Sequence, residues 1–256
     1  MYPPARECIY CGRKDAKLTR EHIVPFGLGG QAVIPEASCK EHAEVTSRFE
    51  RVVARGMYGI ERADANIQSR RPHKVQELLR QKVEITGTDK DGRIVTAMVP
   101  QGEVPRMPSR IDMLPPGALR GANPDLDEGC SMSADPPTAE QIRKLSAKLG
   151  LSKITIHSGW LDPYAFVRQL AKIAHAFTWV EVGANNFNPV LLPLILGQPF
   201  SKSYLVGGFE PPARQLSTSL AIRRLPQGND TLLVVDISLL CFPRLPRYQV
   251  VAGIAK

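Results

Sequence analysis

The sequence has little of what marks secreted, membrane-spanning or disordered proteins. Its five cysteines are an odd number and too few for a disulfide scaffold, which favours thiol or metal chemistry in a reducing compartment. No apolar run approaches the roughly 18 uncharged residues of a membrane-spanning helix, and the N-terminus has no basic-then-apolar signal. A hydrophobic share of 43% excludes bulk disorder. We therefore expect a cytoplasmic globular protein without a membrane partner.

Acidic residues are outnumbered by basic ones. The chain has 33 Lys and Arg against 25 Asp and Glu, a net charge of +8. The surplus is concentrated in residues 1–82, which hold 15 basic and 10 acidic side chains. Such a segment is typical of nucleic-acid binding, because Lys and Arg release counterions from the phosphate backbone. Charge alone is equally compatible with a protein that is merely basic and soluble.

Two pairs of potential metal ligands stand near the N-terminus. Cys8 and Cys11 form a Cys-x2-Cys knuckle, and Gly12 lets the chain turn so that both sulfurs face one point. Cys39 and His42 form a Cys-x2-His pair. Together the two pairs supply the soft nitrogen and sulfur ligands that structural zinc prefers. A lone knuckle would equally suit a redox pair, but the second pair favours metal.

The residues around the second pair predict a helix. Ser38 and Glu41 match a capping box, so we expect the helix to begin at Ser38 and to end at Gly56. Cys39 and His42 would then occupy neighbouring positions of one helix face. The buried stripe is expected to comprise Val45, Phe49, Val52 and Val53. Zinc would stabilise a segment this small, because it has little core of its own.

Between the pairs lies the run Leu18-Thr19-Arg20-Glu21-His22-Ile23-Val24-Pro25-Phe26-Gly27-Leu28-Gly29-Gly30. An adjacent Glu-His between two zinc pairs, followed by Ile-Val-Pro and a Gly-Gly turn, resembles the HNH endonuclease family. The nearest subgroup is bacterial, with a zinc knuckle around a ββα-metal site. The resemblance covers residues 6–56.

The resemblance implies a metal-dependent enzyme that hydrolyses DNA phosphodiester bonds. His22 matches the general base that takes a proton from the attacking water, and Glu21 matches a residue that helps to hold a divalent ion. The two cysteine-containing pairs match the four structural zinc ligands, with His42 in place of the usual fourth cysteine. An imidazole is a suitable base near neutral pH. Since neighbours on a strand face opposite sides, the strand must twist or end at this Glu-His pair.

The chain departs from the family at two positions of the predicted helix. Ala43 stands where an asparagine normally follows the fourth zinc ligand, and Thr46 or Ser47 stands where histidine or asparagine is expected. Oxygen atoms of Glu21, Thr46 and Glu50 are the expected ligands of Mg²⁺ or another divalent cation. The alternative is a catalytically degenerate, zinc-stabilised nucleic-acid-binding or protein-interaction module.

Arginines near this motif are candidates for contacts with nucleic acid. Arg48, Arg51 and Arg55 recur at helical spacing on the predicted site helix, and Arg20 precedes the Glu-His pair. For the helical arginines, a phosphate-binding role and a solvated face are equally expected.

The whole chain predicts an α+β fold. We expect a small zinc-bound ββα-metal module at 1–60, a hairpin and a Pro/Gly-rich connection at 61–137, and a larger mixed domain of open role at 138–256. The hairpin strands are expected at 82–87 and 93–99, around an Asp-Gly turn. The last segment predicts helices and an antiparallel sheet. Helices are expected at 138–149 and 162–182, and strands at 153–158, 203–209, 216–225, 231–242 and Tyr248–Ala255.

Overall fold

A computed structural model describes residues 2–64, 67–68, 72–105, 107, 109–134, 136–156, 162–208, 218–239 and 246–256. The N-terminal segment contains β1 (Leu18–His22), β2 (Val33–Cys39) and α1 (Lys40–Arg51), and α1 continues into a π-helical turn at Val52–Met57. β1 and β2 are antiparallel, and α1 follows β2 directly. The predicted strand–strand–helix order is therefore confirmed.

The start of α1 differs from the predicted one. Ser38 pairs with Thr19 in the β1–β2 ladder, and its hydroxyl donates to the Cys39 carbonyl instead of capping the helix. α1 begins at Lys40, with Cys39 as an N-cap that makes no side-chain hydrogen bond. Val52, predicted to be buried, is 36% exposed, because the π-helical turn that starts there changes the face presented to the core.

The middle of the chain is built from short elements. They are α2 (Gly59–Asp64), α3 (Pro72–Arg80), β3 (Lys82–Thr88), β4 (Ile94–Pro100), β5 (Ser109–Asp112), α4 (Gly117–Arg120), β6 (Ser131–Ala134), α5 (Ala139–Leu149) and β7 (Ser152–Ile156). The predicted hairpin is confirmed, since β3 and β4 pair and the Asp89 carboxylate accepts from the Asp91 and Arg93 amides in the turn. Within the described part of the Pro/Gly-rich connection, β5 pairs antiparallel with β6.

A small layer forms around the hairpin. β7 joins β3, so the sheet order is β4–β3–β7, and α5 packs on it through Leu145 against Ile85 and Val99. The predicted caps of α5 are confirmed: Thr138 forms a capping box, and Gly150 ends the helix with φ +64°.

The C-terminal part combines a long helix with the main sheet. Its elements are α6 (Pro163–Val182), β8 (Phe187–Pro189), α7 (Leu192–Leu196), α8 (Lys202–Leu205), β9 (Val206–Gly208), β10 (Ser219–Gln227), β11 (Asp230–Ser238) and β12 (Tyr248–Ala255). In the main sheet β10, β11 and β12 form an antiparallel meander, and both β8 and β9 pair with the other edge of β12. As predicted, Asp162 caps α6 by accepting from the Ala165 amide, and Pro163 opens the helix.

The strand predicted at 203–209 is wrong in its first half. The chain is helical at Lys202–Leu205 and extended only at Val206–Gly208. The strand is short because it pairs with just Tyr248–Val250 of β12, and because Gly207 packs against the backbone around Leu114. Residue 209 of this predicted strand, and residues 157–158, 216–217 and 240–242 of other predicted strands, lie outside the described residues.

One hydrophobic core joins the N-terminal segment to the C-terminal part. Ile23 and Phe49 belong to the same buried cluster as Phe166 and Leu170 of α6 and Val250 of β12. The long helix α6 therefore lies between the β1–β2–α1 unit and the main sheet. Among the helices of the described residues, none has both the length and the apolarity needed to cross a membrane.

Candidate metal centre and basic cleft

Potential zinc ligands meet at the N-terminal end of α1. The ligand atoms of Cys8, Cys11, Cys39 and His42 all lie within 4.8 Å of one another. Nδ1 of His42 is 3.0 Å from Cys39 Sγ and 3.7 Å from Cys8 Sγ, and the three cysteines are free thiols. Ligands placed tetrahedrally at about 2.3 Å from one ion lie about 4 Å from each other. The cluster therefore fits one zinc ion, held by the residues that the sequence predicted.

Local backbone structure explains why these ligands converge. The amides of Cys11 and Gly12 donate to the Cys8 carbonyl, and Gly12 takes a φ of +69°, a left-handed conformation that glycine adopts without strain. Cys39 ends β2 and His42 lies in the first turn of α1, so the strand–helix junction carries the second pair to the knuckle. Cys11 is the exposed ligand, and the other three are buried.

A cleft of about 510 Å³ opens between the end of β1 and α1. Glu21, His22, Thr46 and Glu50 all line it, so the structure brings together the predicted catalytic and metal-binding residues. Ala43, at which the sequence departs from the HNH-like pattern that it resembles, lies on the same wall, next to His42.

A bulge lets both members of the Glu-His pair reach this cleft. Thr19 and Glu21 are two residues apart, whereas their partners Ser38 and Ile34 on β2 are four apart, and Glu36 takes a left-handed φ of +49° in the longer stretch. A bulge increases local twist and re-aims side chains. The predicted departure from regular strand geometry is therefore confirmed, and β1 ends at the histidine.

The Gly-Gly turn shapes the floor of the cleft. A Cβ atom on Gly30 would lie 1.8 Å from the Val24 carbonyl oxygen, so only glycine fits there. The Gly30 amide also donates to the Pro25 carbonyl. This close approach holds the loop whose residues Pro25, Phe26 and Gly27 line the cleft.

A lysine of α6 forms ion pairs with the Glu21 and Glu50 carboxylates from the side away from the cleft. Lys172 Nζ lies 2.5 Å from Glu21 Oε1 and 3.0 Å from Glu50 Oε1, and it donates to the His22 carbonyl. The Lys172 side chain has no solvent exposure, whereas 25% of the Glu50 side chain is exposed. The ammonium therefore lies behind the wall of the cleft.

The charges of this group depend on one another. Burial lowers the pKa of Lys172, but the charges and hydrogen bonds of Glu21 and Glu50 outweigh burial and raise its pKa above the ordinary value. Burial raises the pKa of Glu21, and the neighbouring ammonium offsets only part of that rise. Lys172 is therefore positively charged at neutral pH.

These contacts do not fit the predicted catalytic cation. A divalent ion on either carboxylate would lie about 4 Å from the Lys172 ammonium, where repulsion costs about 8 kcal/mol at an effective dielectric constant of about 20. Thr46, the third predicted ligand, is 3% exposed and donates its hydroxyl to the Ala43 carbonyl. A protein ammonium thus sits where the sequence predicted Mg²⁺.

Arginines dominate the charge of the cleft. Arg20, Arg51 and Arg55, three of the predicted nucleic-acid contacts, line it, whereas Arg48 is not among the described lining residues. Arg62, which the sequence analysis missed, lines it too; it is 8% exposed, and its Nη1 donates to a backbone carbonyl of the π-helical turn. Planar guanidinium groups match phosphate oxygens, so the cleft suits a phosphate.

Helix α6 supports the cleft and the metal centre along one face. The Arg168 guanidinium carbon lies 4.7 Å from the centre of the Phe49 ring. His175 Nε2 donates to the Ile9 carbonyl of the knuckle at 2.7 Å, and burial lowers the pKa of His175 to about 4. Positions 168, 172 and 175 share one side of a helix, so α6 contacts α1, the carboxylates and the knuckle in turn.

Sequence reasoning missed Lys172 because it is 150 residues from His22. A signal was nevertheless present, since Lys172 is the one formally charged residue from 169 to 180, in a stretch whose other side chains are neutral and mostly apolar. A charge in such a helix must be paired when it is buried.

Comparison with family models, with curated proteins and with solved structures gave no match. The function of the protein has therefore to be inferred from the candidate metal centre and the cleft.

Proposed function

We propose that the protein is an HNH-type endonuclease that hydrolyses phosphodiester bonds of DNA in this cleft. The observation that carries the proposal is the position of His22 in a cleft lined by arginines, on a strand–strand–helix unit with a zinc-ligand cluster. Cleavage requires a base for the attacking water and positive charge for the transition state. His22 supplies the first, and the arginines supply the second.

The chemistry uses side chains that line the cleft. The His22 imidazole takes a proton from water as the water oxygen forms its bond to phosphorus. The bond between phosphorus and the leaving sugar oxygen breaks, and that oxygen takes a proton from solvent. Arg51 and Arg55 stabilise the negative charge on the phosphoryl oxygens. The Phe26 ring, centred 6.0 Å from the His22 ring, limits how the imidazole turns.

Zinc has a structural role in this proposal. Cys8, Cys11, Cys39 and His42 would hold it with four protein ligands, which leaves no open position for water. The ion would tie the knuckle to the start of α1 and so keep α1 at its distance from β1.

Cleavage of supercoiled plasmid by zinc-loaded protein tests the proposal, with Mg²⁺, Mn²⁺ or Ni²⁺ and without added divalent ion. We expect nicking by the wild type and a rate about 10²–10⁴-fold lower for His22→Ala, the usual contribution of a general base. His73→Ala removes an exposed histidine that is not among the lining residues, and it should cut like the wild type. If folded, zinc-loaded protein leaves the plasmid uncut under every condition, the proposal that the protein is a nuclease is refuted.

The second candidate is a zinc-stabilised module that binds nucleic acid or another protein without cutting. It is favoured by Ala43 at the family's asparagine position and by the ion pairs of Lys172 with Glu21 and Glu50. It predicts salt-dependent DNA binding that survives His22→Ala, with no cleavage by either protein.

A further inference from the structure

The two carboxylates of the cleft already have a cation paired with them. Lys172 has three N–H donors, and these face Glu21, Glu50 and the His22 carbonyl. The lysine lies on α6, which is anchored in the core on both sides of this position by Leu170 and Ile173. The helix backbone that carries the ammonium is therefore fixed beside the carboxylates, and the buried side chain holds the position that a metal ion would need.

Burial makes the charges of this cluster depend on one another. An unpaired charge at this depth is strongly disfavoured, so the buried Lys172 and the buried Glu21 require each other, and the partly exposed Glu50 supplies a second negative charge. The same ammonium holds the backbone at His22, the last residue of β1. It thus fixes the strand end that carries the proposed base.

We infer that Lys172 permanently takes the place of the divalent cation in this cleft, so that phosphodiesters are bound and cut there without a catalytic metal. The inference rests on the proposed nuclease function. Lys172 is a positioning residue, because its side chain has no exposed surface with which to touch a substrate. Substrate contact falls to the arginines.

The charge that a substrate meets follows from this. Four arginines, Arg20, Arg51, Arg55 and Arg62, line the cleft against two carboxylates, and the Lys172 ammonium adds one more positive charge behind them. The cleft therefore has a positive surplus without any bound ion. A phosphate is then held by guanidinium groups alone. Binding should weaken with salt, and it should not depend on magnesium.

Manganese binding to zinc-loaded protein, measured by electron paramagnetic resonance, tests the inference without relying on cleavage. The wild type should have no Mn²⁺ site at these carboxylates, so the Mn²⁺ bound by wild type and by Glu50→Gln should be the same. Lys172→Met frees the carboxylates and should bind one Mn²⁺ about tenfold or more tightly than the wild type does. Lys148→Met, which removes an exposed lysine paired with Glu103, is the matched control and should behave like the wild type.

The outcomes separate this inference from the nuclease proposal. A wild-type Mn²⁺ site lost in Glu50→Gln would overturn it, even if the protein cuts DNA. A folded Lys172→Met protein that gains no Mn²⁺ would also overturn it, because the ammonium would not be what closes the site. If Lys172→Met does not fold, the wild-type measurement decides. If no protein cuts DNA, the Mn²⁺ result still tells whether the lysine excludes the metal.

Discussion

His42 is the one histidine of the candidate zinc-binding cluster, whose other three members are cysteines. Its Nδ1 lies within 3.7 Å of two cysteine sulfurs, and the ring packs near Tyr10, with centroids 5.9 Å apart. Histidine and thiolate are both good ligands for tetrahedral zinc, so what matters at this position is the donor atom and its placement.

The effect of a substitution at His42 should therefore depend on whether the new side chain can bind zinc. His42→Cys restores a donor and should keep one zinc per chain, whereas His42→Ala removes it and should lose most of the metal. Metal content by atomic absorption and the melting temperature check this. Equal zinc content in wild type and His42→Ala would contradict the assignment.

His175 adds a pH dependence. Its pKa is lowered to about 4 by burial, from an ordinary 6.5. Between these values the unfolded chain binds the proton and the folded chain does not, so folding stability falls as pH drops through that window. We expect a loss of about 2 kcal/mol between pH 7.5 and pH 5 from this residue.

The measurement is urea unfolding of wild type and His175→Gln at both pH values. The glutamine keeps a donor for the Ile9 carbonyl and does not titrate, and any effect of acid on the zinc ligands is common to both proteins. Wild type should lose about 2 kcal/mol more than the variant. Equal losses would mean that His175 does not stay neutral in the fold.

At the scale of single elements, α1 and the π-helical turn after it place their arginines in two different environments. Arg51 and Arg55 line the cleft from the end of α1 and the π-helical turn that follows, while Arg48, one turn earlier, is exposed and outside the described lining. Sequence spacing predicted the three as equals. In a regular α-helix Arg48 and Arg55 would share a face, but the π-helical turn at Val52–Met57 changes the direction of Arg55, and regular spacing does not specify such a turn.

DNA affinity measured against salt concentration should resolve the two environments. Arg51→Ala and Arg55→Ala should each weaken binding and reduce the salt slope by about one unit, because each removes one phosphate contact. Arg48→Ala, the matched control from the same helix, should change neither. An equal effect of all three would show that binding uses the general charge of the helix and not the cleft.

At the scale of the whole molecule, the zinc-ligand segment is not packed as a separate unit. Cys8 and Phe49 belong to one buried cluster with Phe166 and Val250, and α6 supplies contacts to both sides. A core that crosses the segment boundary predicts joint unfolding.

Removal of zinc should therefore destabilise α6 as well as the knuckle. We expect chelation to lower the melting temperature by about 10 °C or more, in one transition that includes loss of helical signal. Calorimetry and far-ultraviolet circular dichroism, before chelation and after zinc is restored, check this. A separate low-temperature transition that leaves the helical signal intact would indicate an independent N-terminal domain.

The sequence by itself determined the features that depend on near neighbours. The spacing of Cys8, Cys11, Cys39 and His42 predicted the ligand set, and Thr138 with Gly150 predicted both ends of α5. These succeed because capping and ligand convergence at a turn are governed by a few consecutive residues. Ser38 is an exception. Its capping-box pattern predicted the start of a helix, but the residue pairs instead with Thr19 of β1, which is distant in sequence.

Only the tertiary structure decided what surrounds the Glu-His pair. Lys172 pairs with Glu21 and Glu50 although more than 100 residues separate it from either, and Arg62 enters the cleft from beyond the π-helical turn. No local pattern encodes which cation meets a carboxylate, because that depends on how α6 packs against α1. The charge that faces Glu21 and Glu50 from behind the cleft wall, an ammonium where the sequence predicted a metal, follows from that packing.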